Sequence, residues 1–406
     1  MKKNIQLITL VFASIALTFS SCKKAEDNIT SPQSSTNGTP DFSEKGTNPD
    51  DADMSAEASA ARHLDEAYLY TESNGVNQND ILCYKQHSDG SLTLKGTTTS
   101  GGTGIGSYKG FGLDGQGALA LSDNHEWLYA VNAGSNSISS FKVHSDGSLT
   151  LAHTESSGGQ VPISLCIYHH YLYVVNDSTA NISGYTIGAG GTLTAMTGAN
   201  LPLSSSTAHP AQIGFSPNGE YLYITERGTN SICSFDVNIS GLASFDQTFS
   251  STGVTPFGFS IARNNFMVVS NANMGIPNSS SCTSYSGVNP GTITSINGAV
   301  ANYQTASCWL ATTKYGRFAY TANTGSDNIS SYYVAPWGGI YLVHPSASRT
   351  GTAPKDLCVT PNNYYVYVLN TGSQTIGGFH RAPIGDLVRI GTTPNLPQFA
   401  TGLVAW

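Results

Sequence analysis

One pattern recurs along the chain and leaves few folds open. From Ala208 to Val237 the sequence reads AHPAQIGFSPNGEYLYITERGTNSICSFDV. The apolar run Gln212-Ile213-Gly214-Phe215 is followed by Ser216-Pro217-Asn218-Gly219, a tight turn in which Pro presets φ and Asn and Gly accept positive φ. Tyr221 to Ile224 is an aromatic and β-branched run of strand character. Glu226 to Asn230 is polar, and Ile232 to Val237 alternates again. This is an antiparallel meander, and it repeats.

The copies align on the end of the second strand, at Tyr70, Tyr129, Tyr173, Tyr223, Val268, Tyr320 and Tyr367. An Ile then opens the third strand: Ile81, Ile138, Ile182, Ile232, Ile293, Ile329 and Ile376. Three residues later stands Tyr84, Phe141, Tyr185, Phe235, Ile296, Tyr332 or Phe379. The spacing from anchor to Ile is nine in five of the seven copies, the fifth copy being the main exception. Fourth strands follow turns such as Asp89-Gly90-Ser91 and Asp146-Gly147-Ser148. Self-similarity at this period without helical periodicity predicts an all-β fold, a seven-bladed β-propeller of four-stranded antiparallel blades. The first copy begins in its second strand and the chain ends in a strand-like run, Thr401 to Trp406. The C-terminal strand is therefore expected to pair into the first blade and remove the open edge. One first-strand position is small throughout (Ala405, Ala120, Cys166, Gly214, Ser260, Ala311, Cys358), as crowding around an axis demands.

Ahead of the repeats, Lys2-Lys3 precedes an apolar run from Ile5 to Phe19 that is too short for a comfortable spanning helix. Small residues and Cys22 follow. Residues 1–22 resemble a bacterial lipoprotein signal with Cys22 as the lipidated residue, and Lys23-Lys24 points to the outer membrane of the cell envelope. Residues 23–66 are too poor in apolar groups to fold and read as a tether of about 35–40 Å. Residues 67–406 make up the propeller. The 406-residue chain has only 11% charged residues and a net charge of −8. With no basic stripe it is not expected to bind nucleic acid, and its membrane attachment is expected through the anchor alone. A monomer is expected.

In an up-and-down blade the loops entering the first strand share a rim with those leaving the second. That rim collects Lys109, Asp114, His209, Gln212, Trp309, Lys355 and Asp356 with Asn74, Asn132, Asn176, Glu226, Arg227, Asn271, Asn323 and Asn370. It also carries the longest insertion, about 16 residues between Asn271 and Ile293, on which Cys282 could pair with Cys308 at the same rim. The repeated Asn residues are turn formers, or else a polar ring that could hold a polyol or Ca²⁺. Glu226 replaces the repeated Asn, so turn chemistry alone does not explain it. Glu226 and His209 are the candidate acid/base groups, with Arg227 to steady an oxyanion. Gln212, Asn132, Asn176, Asn271, Asn323, Asn370, Lys109 and Lys355 are candidate ligand contacts. His125, His169 and His170 fall on the opposite rim. No cofactor or metal is expected.

Ala208-His209-Pro210, Phe215 to Tyr223 and the Asp-Gly-Ser-Leu-Thr-Leu turns resemble the lactonase seven-bladed propeller family, which includes 6-phosphogluconolactonase-type hydrolases and carboxymuconate cyclases. The resemblance spans Tyr68 to Trp406. Where family members carry Gly-Pro-Arg-His, this chain has His209, Pro210, Ala211 and Gln212. Glu226 matches an acidic residue of the family. The resemblance implies a hydrolase acting on a lactone or related carbohydrate. A non-catalytic surface propeller holding a glycan or protein is the alternative.

Overall fold

A computed structural model describes residues 67–107 and 113–406. Cys22, the signal and tether segments, and Lys109 lie outside the described residues. The chain forms seven four-stranded antiparallel sheets. The innermost strands, in blade order, are Thr401–Ala405, Leu119–Leu121, Pro162–Tyr168, Pro210–Phe215, Pro256–Ile261, Ser307–Thr312 and Pro354–Val359. The first of these pairs with Ala67–Glu72, so blade one is assembled from both ends of the repeat region. Tyr68 and Trp406 exchange backbone hydrogen bonds of 2.9 and 3.0 Å, and their rings stack 5.3 Å apart.

The anchor tyrosines explain the repeat. In register each lies opposite the small first-strand residue: Tyr129 opposite Ala120, Tyr173 opposite Cys166, Tyr223 opposite Gly214, Tyr367 opposite Cys358. Blade one is shifted by one, and Tyr70 faces Val404, not Ala405. Four of these hydroxyls then cross to the turn between third and fourth strands of the next blade. Tyr70 donates to the Gly147 carbonyl, Tyr173 to Gly241, Tyr223 to Val288 and Tyr367 to Gly90, at 2.7–2.9 Å. Gly147, at φ 78°, sits where a Cβ would stand 2.3 Å from the Tyr68 ring. The tyrosine and the glycine turn are thus one interblade joint.

Blade five departs from the sequence reading. Its third strand is Ser281–Ser286, and Ile293 and Ile296 belong to the following turn and fourth strand. Cys282, fully buried, takes the position of the repeated Ile, and Tyr285 follows three residues later. A small apolar thiol fills that site, so the Ile pattern failed there. The loop leaving the second strand is residues 272–280, nine residues against four at 227–230, an excess of five and not 16. No disulfide joins Cys282 to Cys308. Among the described residues all six cysteines are thiols, and Cys282 lies within a blade against Tyr332.

Candidate functional site

The rim is built by a repeated bend. The residue just before the inner strand is left-handed in five blades: Val161, His209, Thr255, Ala306 and Ala353, with φ of 44–58°. Its carbonyl accepts from the first residue after the second strand: Asp177, Arg227, Ala272, Thr324 and Thr371 donate at 2.9–3.2 Å. The costly backbone conformation at His209 therefore belongs to the repeat. What is particular to this blade is the side chain that the bend presents.

The asparagines point elsewhere. Asn132, Asn176, Asn271, Asn323 and Asn370 are all fully buried. Asn132 donates to Ser137 and Ser139 across the hairpin, Asn271 to Ser281 and Thr283, Asn323 to Asn328 and Ser330. Asn370 bonds Thr375, and Asn176 bonds the Ser157 carbonyl. They tie second strands to third strands and neighbouring loops, not to the axis.

Glu226 shares that inward orientation. It is fully buried, and its carboxylate accepts from the Ser204 amide at 3.1 Å, from the Ser204 hydroxyl, from Thr229 at 2.6 Å and from Ser231 at 3.1 Å. Four donors fix it between its own hairpin and the loop entering its blade, facing away from the rim surface. Gln212 is committed as well: its amide accepts from Phe259 N–H at 2.7 Å and donates to Phe259 C=O at 3.0 Å, linking blades four and five.

The residues that do meet are His209, Arg227 and partners from other blades. The His209 ring is half exposed, and its Nδ1 stands 3.3 Å from the Oδ1 of Asp177, whose side chain is 1% exposed. Arg227 donates to the carbonyls of His209 and Pro210 at 3.2 Å, pairs with Asp114 from the loop entering blade two, and lies 5.2 Å over the Phe257 ring. Lys355 is buried with its Nζ 5.7 Å over Trp309, and burial lowers its pKa while Asp114 opposes that shift. Burial pushes the neighbouring Asp356 up to about 7, although the Leu357 and Leu403 amides work in the other direction.

The axis is crossed by residues 113–117. The Gln116 side chain spans to blade six, accepting from Leu310 N–H at 2.9 Å and donating to Leu310 C=O at 2.6 Å. Trp309 Nε1 donates to the Gly115 carbonyl at 3.1 Å. Because residues 113–117 leave the sheet to cross the axis, the inner strand of blade two is only three residues long. Among the described residues no group of three His, Cys, Asp or Glu could hold a metal.

Asp177 and Gln116 were not singled out from sequence. Asp177 follows a repeated Asn where other copies place Gly, Ala or Thr, which was the available signal. Gln116 carried none.

The profile of the family described as lactonase, seven-bladed β-propeller, matches residues 105–201, 168–285 and 289–401. The chain belongs to that family. This lactonase-family propeller also resembles solved structures at low identity, which speaks to fold alone. A candidate 6-phosphogluconolactonase of Bacteroides fragilis is 20% identical, with a TM-score of 0.67 over 84% of this chain and 98% of that one. A periplasmic gluconolactonase of Pseudomonas aeruginosa is 17% identical, with a TM-score of 0.67 and the same coverages. A protein from Lactobacillus plantarum is 16% identical, with a TM-score of 0.70 over 84% of this chain and all of that one. No curated protein matches the sequence.

Proposed function

We propose that this protein is an extracytoplasmic lactone hydrolase, anchored through Cys22 and held off the membrane by residues 23–66. The observation that carries the reading is the half-exposed His209 imidazole held at Nδ1 by the buried Asp177. A carboxylate at Nδ1 fixes the tautomer and leaves Nε2 as the acceptor. His209 then takes a proton from water as the water oxygen bonds to the lactone carbonyl carbon. The tetrahedral oxyanion forms beside Arg227, whose guanidinium is oriented by Asp114 and Phe257. Collapse breaks the ring C–O bond, and the imidazolium returns its proton to the leaving oxygen, giving a hydroxy acid. Glu226 has no part in these steps, since its oxygens are occupied.

The test is hydrolysis of a lactone panel followed by acid release, with His209→Gln and Glu226→Gln compared. Loss in the first with retention in the second supports the reading; equal rates in wild type and His209→Gln end it. The anchor is tested separately: Cys22→Ser should move the protein from the membrane to the soluble fraction. The segment crossing the axis favours a second reading, a non-catalytic propeller that binds a glycan or protein on the same rim. Binding of such a ligand with no lactone turned over would favour it.

A further inference from the structure

Resting on the lactonase reading, we infer that the substrate is a lactone bearing an alkyl or acyl substituent, which lies on an apolar platform in blades five and six. Val254, Met274, Ile276 and Tyr303 are 42%, 67%, 47% and 60% exposed. All four stand in rim loops, and hydrogen bonds tie those loops together. Asn273 N–H donates to Val254 C=O and Met274 N–H to Thr255 Oγ1, both at 3.0 Å, while Asn278 N–H donates to Thr305 Oγ1 at 3.0 Å. Scattered apolar residues on a surface need no explanation; four on loops bonded to one another on a single rim do.

Two of these loops are also built at a cost. Met274 and Tyr303 hold left-handed backbones, at φ 54° and 60°, with side chains turned out to solvent. Burial of those side chains does not repay that strain, and strained residues cluster at ligand sites as well as in turns. The platform is linked to the dyad through blade five: Val254 is three residues before Phe257, whose ring carries Arg227, and Arg227 bonds the His209 carbonyl.

Among the described residues the cations near the dyad are already committed, Arg227 to its carboxylate partner Asp114 and the oxyanion. Lys355 is buried over Trp309. A phosphorylated sugar would need charged donors of this kind, whereas an aliphatic chain needs apolar area removed from water. The rim loops of blades five and six offer the second.

The experiment uses γ-lactones with methyl to octyl substituents on wild type and on Met274→Ser/Ile276→Ser. In wild type the octyl lactone should exceed the methyl lactone in kcat/KM by about tenfold or more, a modest part of the full transfer of seven methylenes. In the double variant that ratio should fall towards one. A flat ratio in wild type, or the same ratio in both proteins, overturns the inference. Should no lactone be hydrolysed, calorimetric binding of the same series decides: chain-length-dependent affinity lost in the variant upholds the platform and ends the hydrolytic reading, while flat affinity ends both. A flat series together with Met274- and Ile276-dependent sedimentation on phosphatidylethanolamine/phosphatidylglycerol vesicles would make the patch a lipid contact instead, and overturn the proposal.

Discussion

Gln116 reaches across the propeller axis and satisfies both backbone groups of Leu310, a residue 194 positions away, with one amide. Its Oε1 also occupies the space over Gly258, where a Cβ would come within 2.0 Å. Gly258→Ala is expected to cost roughly 1–3 kcal/mol by overpacking. Gln116→Ala should cost about 1–3 kcal/mol by leaving the Leu310 amide and carbonyl without partners. The two sites share one atom's space, so the double variant should lose less than the sum. Urea melts of the four proteins measure this, and strict additivity would show that the contact is not felt.

Glu226 should matter for stability first. Glu226→Ala strands four donors and is expected to lower stability by roughly 2–4 kcal/mol. Glu226→Gln keeps one acceptor oxygen and should lose less. Thermal melts rank the variants. A large fall in turnover in Glu226→Gln with an unchanged Tm would restore the residue to a catalytic role.

Asp177→Asn should leave the fold intact, because the amide fits the same space, while removing the charge that holds the His209 ring. Turnover of any lactone substrate is expected to fall by about 10²-fold or more, since general-base catalysis contributes on that scale. KM should move little. The kinetic comparison with His209→Gln checks it: the double variant should be no slower than His209→Gln alone, because both changes disable one device.

Asp356 gives the protein a pH signature. Burial raises its folded-state pKa to about 7, above the ordinary carboxylate value of 3.8. A raised folded pKa means the folded state holds the proton more tightly than the unfolded one. This contribution to stability is complete below about pH 4 and is lost as pH climbs to about 7. Asp356→Asn, permanently neutral, should flatten stability across that window and be the more stable form at pH 8. Denaturant melts at pH 4.5, 6 and 8 give the comparison; a decline of the same size in the variant would assign it to another group. Glu72, also buried, shifts in the same direction.

The blades were legible because most anchor tyrosines lie opposite a small residue and four of them also reach the turn of the next blade. Tyr129, Tyr223, Tyr320 and Tyr367 each stand nine residues after the small residue they face. Blade five slipped because Cys282 fills the Ile site with equal burial and a different name. The site was less legible for a geometric reason. At a strand end a one-residue change of phase turns a side chain from rim to interior, and sequence alone does not say which way Glu226 or Asn323 faces. Nor does it say that Asp177 comes to rest beside His209, 32 residues on; only the closing of adjacent blades brings them together.

Blade one also sets an order of events in the making of the protein. Thr71 bonds the Thr401 carbonyl across 330 residues, whereas every other blade pairs strands that are near neighbours in the chain. During synthesis at about 5–20 residues per second, the strand Ala67–Glu72 emerges on the order of tens of seconds before its inner partner exists. Through that interval its inner edge, rich in tyrosine and leucine, has no native cover. Until then this stretch is an open edge, and the one through which two unfinished copies could join.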